Sequence, residues 1–124
     1  TKLDDFSSYI KPNYQGYVSI MSSYGLYQDS WCQKKCILTY IAKRRISSIQ
    51  LSIFNPNILL GDITISQQNT KETFEISKKN TLIKFECSVD INTSNNLKII
   101  SNLNSTNESD SRQLSYLLAS IIFD

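Results

Sequence analysis

Apolar and polar residues alternate along this chain in short runs, with few stretches recurring every three or four positions. Gly16 to Met21 alternates and predicts a strand. Cys36 to Ile41 is β-branched and aromatic, and ends at the basic turn Lys43-Arg44-Arg45. Ile46 to Phe54 alternates cleanly, with Ile49, Leu51 and Ile53 on one face and Ser48, Gln50 and Ser52 on the other. Asn55-Pro56-Asn57 is a turn. Asp62 to Ser66, Thr73 to Ser77 and Leu82 to Val89 alternate again, separated by polar turns at Gln67–Lys71 and Lys78–Asn80. Leu97 to Ser101 adds another apolar run before the Asn- and Ser-rich loop "NLNSTNESDS".

Seven or eight short strands with turn signals between them predict an all-β sandwich or small barrel, and the fold expected is an antiparallel β-sandwich of jelly-roll or immunoglobulin-like type. The outward positions are Ser, Gln, Glu, Lys and Thr, as expected of sheets with one solvated face. Two Ala residues in the chain disfavour long helices. Leu3 to Tyr9 predicts at most a short helical turn before Pro12, and Ser22 to Lys35 reads as a loop carrying large aromatics. The closing stretch "SDSRQLSYLLASIIFD" fits two patterns. A helix would align Leu114, Leu117, Leu118, Ile121 and Ile122 on one stripe. A strand would place Leu114, Tyr116, Leu118 and Ile122 on one face, and Leu117, Ala119, Ile121 and Phe123 on the other. The all-strand context and the terminal Ile-Ile-Phe favour the strand.

Size predicts one domain over residues 1–124. The absence of an initiator Met suggests a piece excised from something longer, and no signal peptide or run of about 18 apolar residues is present. The net charge of +2 is too low for a general nucleic-acid binder. Cys32 and Cys36 would lie about 13 Å apart on a straight strand, too far to bridge. With Cys87 unpaired, the three read as small apolar residues of a reducing compartment. No His is present, so no metal site and no cofactor are expected. The sequons at Asn92, Asn104 and Asn107 are expected by chance in so Asn- and Ser-rich a chain.

Two stretches carry a resemblance. "GLYQDSW", Gly25 to Trp31, resembles G-x-Y-x-D-G-W, and "SDSRQLSYLL" resembles D-x-R-x-L-[GS]-[FY]-x-L followed by an Ile-rich strand. These are the paired signatures of an accessory β-sandwich domain, similar to carbohydrate-binding modules, attached to bacterial glycosyltransferases that build surface polysaccharides. Their order and separation agree with that family, and the likeness spans most of the chain after about Gly16. One departure is Ser30, where the family has Gly. If that backbone adopts a positive φ, Ser30 is strained.

The resemblance implies a noncatalytic module that engages glycan or a polysaccharide acceptor. Its partner would be the catalytic domain of its parent chain, a glycosyltransferase. The location would be cytoplasmic, or the inner face of the membrane through the parent. Tyr14, Tyr17, Tyr24, Tyr27 and Trp31 cluster between residues 14 and 31, and apolar rings beside hydrogen-bonding groups suit a pyranose. The candidate ligand-binding residues are Tyr24, Tyr27, Asp29, Trp31, Asp110 and Arg112. Arg112, with five donors, is placed to tie its loop to the Asp29–Trp31 loop, and Asp110 to accept backbone amides of the preceding loop. On the competing reading Asp29, Trp31, Asp110 and Arg112 form a structural latch, and the module packs on its catalytic domain or mediates oligomers. Catalysis by the chain itself has little support. A Ser-His-Asp system is impossible without His, no Gly-rich phosphate loop is present, and no pair of carboxylates has a reason to converge.

Overall fold

A computed structural model of the chain describes residues 17–105 and 109–124. Within them run eight strands, β1 (Val18–Leu26), β2 (Trp31–Ala42), β3 (Ser48–Phe54), β4 (Gly61–Gln67), β5 (Thr70–Ile76), β6 (Asn80–Glu86), β7 (Ser94–Ser101) and β8 (Tyr116–Phe123). The expected helical turn at Leu3–Tyr9 and the sequon at Asn107 lie outside the described residues.

The all-β, antiparallel expectation holds, but the strands do not divide into two separate layers. They form one continuous sheet in the order β5-β4-β7-β2-β8-β3-β6, with β1 paired to β2. The two ends of this path, β5 and β6, come into contact, so the sheet curls into a nearly closed barrel-like form. The device that joins what the pattern suggested as two layers is β2. Its first residues, Trp31 and Cys32, pair with Leu117 and Tyr116 of β8. From Lys35 to Ile41 it pairs with β7 instead, while β1 lies along its other edge. A strand that changes partners part-way along turns a corner in the sheet.

The predicted inner faces are largely those observed. Ile49, Leu51 and Ile53 of β3, Ile63 and Ile65 of β4, and Ile83 and Phe85 of β6 are buried. Tyr40 and Phe123 meet in the core with ring centroids 4.9 Å apart, and the Tyr40 hydroxyl donates to Gln67 Oε1. Burial raises the Tyr40 hydroxyl pKa strongly.

Two segments differ from expectation. Ser22–Lys35, read as a loop, is instead a long hairpin whose turn is only Tyr27–Ser30. Register shifts between Ile20 and Ser22 and between Tyr24 and Leu26 break the two-residue period that would have marked the strand. The closing segment is a strand, as context favoured, but its faces differ from those predicted. Tyr116, Leu118, Ile121 and Phe123 are buried, and Leu117 and Ile122 are half-buried. A register shift against Ser52 and Ile53 leaves Ala119 unpaired, so inward parity changes after Leu118. That extra residue makes the inward spacing three between Leu118 and Ile121, which is what imitated a helix.

All three cysteines are free, and Cys32 and Cys36 both point into the core. Straight-strand spacing would hold them far apart. The register of β2 against β1 is irregular between Cys32 and Ile37, and the Cys36 thiol adds to the rise in the Cys32 pKa, which comes mainly through burial. The Tyr116 hydroxyl is buried beside this pair without a hydrogen-bond partner among the described residues.

Gly25 at the bulge has φ +78°, and a Cβ there would stand 2.0 Å from the Lys35 carbonyl oxygen. Gly25→Ala is therefore expected to destabilise the chain by at least about 2 kcal/mol, through left-handed strain plus a backbone clash. The midpoint of urea unfolding measures this.

Candidate functional site

The β1–β2 turn and the segment entering β8 meet because Trp31 and Cys32 pair with β8. Ser115 N donates to Cys32 O at 2.8 Å and Leu118 N to Ser30 O at 2.9 Å. The approach to β8 is held by buried hydroxyls. Ser115 Oγ lies 2.7 Å from Ser101 Oγ and 2.8 Å from the Leu103 carbonyl, and Ser105 Oγ donates to the Ser115 carbonyl at 3.1 Å.

Arg112 is the hub of this junction. Its Nη1 reaches Asp29 at 2.9 Å. Its Nε and Nη2 reach Asp110, at 3.0 and 2.8 Å. Its guanidinium carbon lies 4.8 Å from the centroid of the Tyr27 ring, a cation–π distance. The Tyr27 hydroxyl in turn accepts Gln33 Nε2 at 3.0 Å. Each carboxylate also holds the amide two residues ahead of it. Asp110 Oδ1 accepts Arg112 N at 3.0 Å, and Asp29 Oδ1 accepts Trp31 N at 3.4 Å, the pattern of an Asx turn. Asp110 thus takes the amide of Arg112 itself, where the sequence suggested amides of the preceding loop.

The Arg112 guanidinium, with its backbone amide, holds the Asp110 carboxyl down at about 2 from an ordinary 3.8. The two carboxylates in turn raise the already high pKa of Arg112. A depressed carboxylate stabilises the fold above its unfolded pKa, and that contribution fades as pH falls through the native value.

Four predicted residues, Tyr27, Asp29, Asp110 and Arg112, therefore converge. Trp31 joins them through its amide, while its ring is half-buried on the outer face of the sheet. Tyr24 stands apart on β1, 58% exposed, opposite Ile37. Ser30 has φ +74°, at the position where the resembled motif carries Gly.

The sequence did not reveal what lies beside Trp31. Trp31 pairs with Leu117, and Leu117 pairs with Phe54. Directly paired residues of antiparallel strands point to one face, so the three form a half-buried apolar strip across β2, β8 and β3. It is about 10 Å long from one end to the other at the usual strand separation. Lys79 Nζ lies 5.9 Å from the Phe54 ring centroid, and Asn80 extends the row as the partner of Phe54. Only the alternation of β3, which turns Phe54 outward with Gln50 and Ser52, hinted at this in the sequence.

A cleft of about 390 Å³ lies at the other end of β3, lined by Arg45, Ile46, Ser47, Cys87, Val89 and Asp90 among others. Burial raises the Cys87 thiol to about 11, well away from the reactive thiolate range. Among the described residues no cluster of His, Cys, Asp or Glu is disposed to hold a metal ion. No helix there is long and apolar enough to cross a membrane.

No family model matches the chain, and comparison with curated proteins and with solved structures returns no match either.

Two outcomes are expected here. Ser30→Gly relieves a left-handed L-residue and should raise stability by about 0.5 kcal/mol, the strain removed being partly offset by greater unfolded-state freedom. This is read as a higher thermal midpoint. Asp110→Asn should flatten the loss of stability between pH 4 and about 2, the window set by the depressed Asp110 carboxyl. Thermal melts across that range check it, and an unchanged slope would remove Asp110 from the acid response.

Proposed function

We propose that this chain is a noncatalytic carbohydrate-binding module of a bacterial surface-polysaccharide glycosyltransferase. In this reading glycan or acceptor lies on the Trp31–Leu117–Phe54 strip. The strip is the observation that carries the reading. Flat apolar side chains at both ends of a sheet row suit the CH-rich faces of consecutive sugar rings, and hydroxyls find partners at the rim in Asp29, Gln33 and Asn80. The two resembled motifs support it, since both lie at this junction. The sandwich class of that family is part of the proposal. A nearly closed sheet differs from two facing layers in how β2 is joined to β8 and in the approach of β5 to β6.

In this proposal Arg112 and Asp110 position the strip and do not themselves grip the sugar. Their mutual bonds, with Asp29, use the guanidinium's Nε and both terminal nitrogens. Asp29, whose side chain is 52% exposed, keeps a solvent-facing edge.

A second reading has its own observation. Leu60 is 80% exposed, Leu82 66% and Ile58 55%, and exposed aliphatics suit a protein surface better than a sugar. On this reading the module packs against the catalytic domain of its parent or mediates oligomers.

A glycan array followed by titration calorimetry separates the two. The module should bind a subset of bacterial surface glycans, and Trp31→Ala and Phe54→Ala should each weaken binding about ten-fold or more, consistent with the loss of one stacked ring. Leu60→Ser should leave binding unchanged. Absence of binding to every glycan, with Leu60→Ser and Leu82→Ser disrupting association with the parent enzyme, would establish the packing role instead.

A further inference from the structure

Past the corner in β2, the outer face changes character. Cross-strand pairing places Tyr24, Ile37, Lys98, Ser66 and Lys71 in one row across β1, β2, β7, β4 and β5. The neighbouring row carries Lys35, Ile100, Thr64 and Thr73. Between them is a shallow groove of about 210 Å³, lined by Thr64, Ser66, Lys71, Lys98 and Ile100. Lys35, Lys71 and Lys98 are all exposed, and none has a carboxylate partner among the described residues. Asp62 and Glu75, on the same face of β4 and β5, pair with each other one row beyond Thr64 and Thr73 and two rows from Lys71. In a chain of net charge +2 this concentration is one of placement and not of composition. It gives a field that attracts anions.

The accompanying groups narrow the partner. Beside the lysines are small hydroxyls, with Thr64 and Thr73 2.9 Å apart and Thr39 bonded to Asn96 at 2.7 Å. Among the described residues there is one exposed aromatic, Tyr24, 58% exposed. Single-stranded nucleic acid is held by several stacking rings along a basic groove, and those are missing from the described part of this face. Hydroxyls and amides among separated cations match a chain of hydroxyls and separated carboxylates.

We propose that this face binds an anionic polysaccharide bearing uronate carboxylates, independently of the apolar strip and whether or not that strip takes a neutral sugar. Lys98 and Lys71 are two strands apart, about 10 Å at the usual separation, and Lys35 flanks them, so one extended chain lying across the strands meets all three. Tyr24 then stacks on a ring at one end of the row.

The test is titration calorimetry of the full chain with oligogalacturonate, a neutral dextran oligosaccharide of equal length, and oligodeoxythymidylate. Saturable binding of the uronate is expected, weakening as salt rises because the contacts are charge pairs at the surface. The triple variant K35Q/K71Q/K98Q, altered only at exposed outer positions and checked by circular dichroism, should lose at least about ten-fold in affinity. A K43Q/R44Q/R45Q variant of the basic turn should stay within about two-fold of wild type. The proposal is overturned if wild type does not bind the uronate, if the triple variant binds as well as wild type, or if the turn variant loses as much. Equal or tighter binding of the oligonucleotide would reassign the face to nucleic acid. None of these results depends on whether Trp31 and Phe54 bind neutral glycan.

Discussion

The change of partner along β2 is the constraint on which the rest of this structure depends. One edge of a single strand is divided, with two residues given to β8 and seven to β7. A flat continuation is impossible once that happens, because β8 must diverge from the line of β7 and carry β3 and β6 with it. The divergence closes the core. It sets Tyr40 against Phe123 and brings β5 to β6. It also places the buried Cys32 and Cys36 thiols and the Tyr116 hydroxyl together at the bend. The buried hydroxyls of Ser101, Ser105 and Ser115 lie beside it, where the chain enters β8. Just before β8 the chain becomes buried at Leu114 and Ser115, where the Leu114 carbonyl accepts the Ser105 amide and the Ser115 carbonyl accepts the Ser105 hydroxyl, so backbone and side chain together supply the bonds that a ladder would otherwise give.

How far this was legible follows from the same feature. Where two strands keep an unbroken register, as β3 and β6 do with each other, alternation in the sequence maps directly onto inside and outside. Where register breaks, the pattern misleads. Gly25 and the shifts around it hid half of β1, and the partner change hid the start of β2. The unpaired Ala119 gave β8 the spacing of a helix. A two-residue period reports the local pleat, and says nothing of which strands share an edge, so two stacked layers and one curled sheet look alike in sequence. The Arg112 junction was legible because charge pairing is chemically specific. Two acids and one arginine in turn-forming segments have few ways to satisfy each other, and the paired motifs located both segments. Phe54 and Leu117 were not, since their adjacency to Trp31 exists only through the register of three strands distant in sequence.

Arg112 also shows how a latch and a binding surface differ. A side chain that recognises a ligand must keep donors directed at solvent. Here Nε and both terminal nitrogens already meet Asp29 or Asp110, and one flank of the guanidinium rests on Tyr27. An exposed ion pair of this kind contributes little stability by itself. Its value is geometric, since it fixes the strained Ser30 turn relative to the entry of β8, and with it the orientation of the Trp31 ring. In the proposed glycan site, ordering a ring before a ligand arrives would lower the entropic cost of binding, so a residue whose three nitrogens already meet carboxylates would still influence affinity.

The outward side chains of β2 complete the argument. Before the bend, Trp31 faces the apolar strip shared with β8 and β3. Beyond it, Lys35 and Ile37 face the basic, hydroxyl-rich surface shared with β7 and β4. Had β2 kept one neighbour throughout, these residues would form a single mixed stripe in which desolvating the ring would also desolvate the lysines, at a cost that ion pairing seldom returns. The corner separates the two environments, so that apolar contact and charge attraction operate on different parts of one strand without opposing each other.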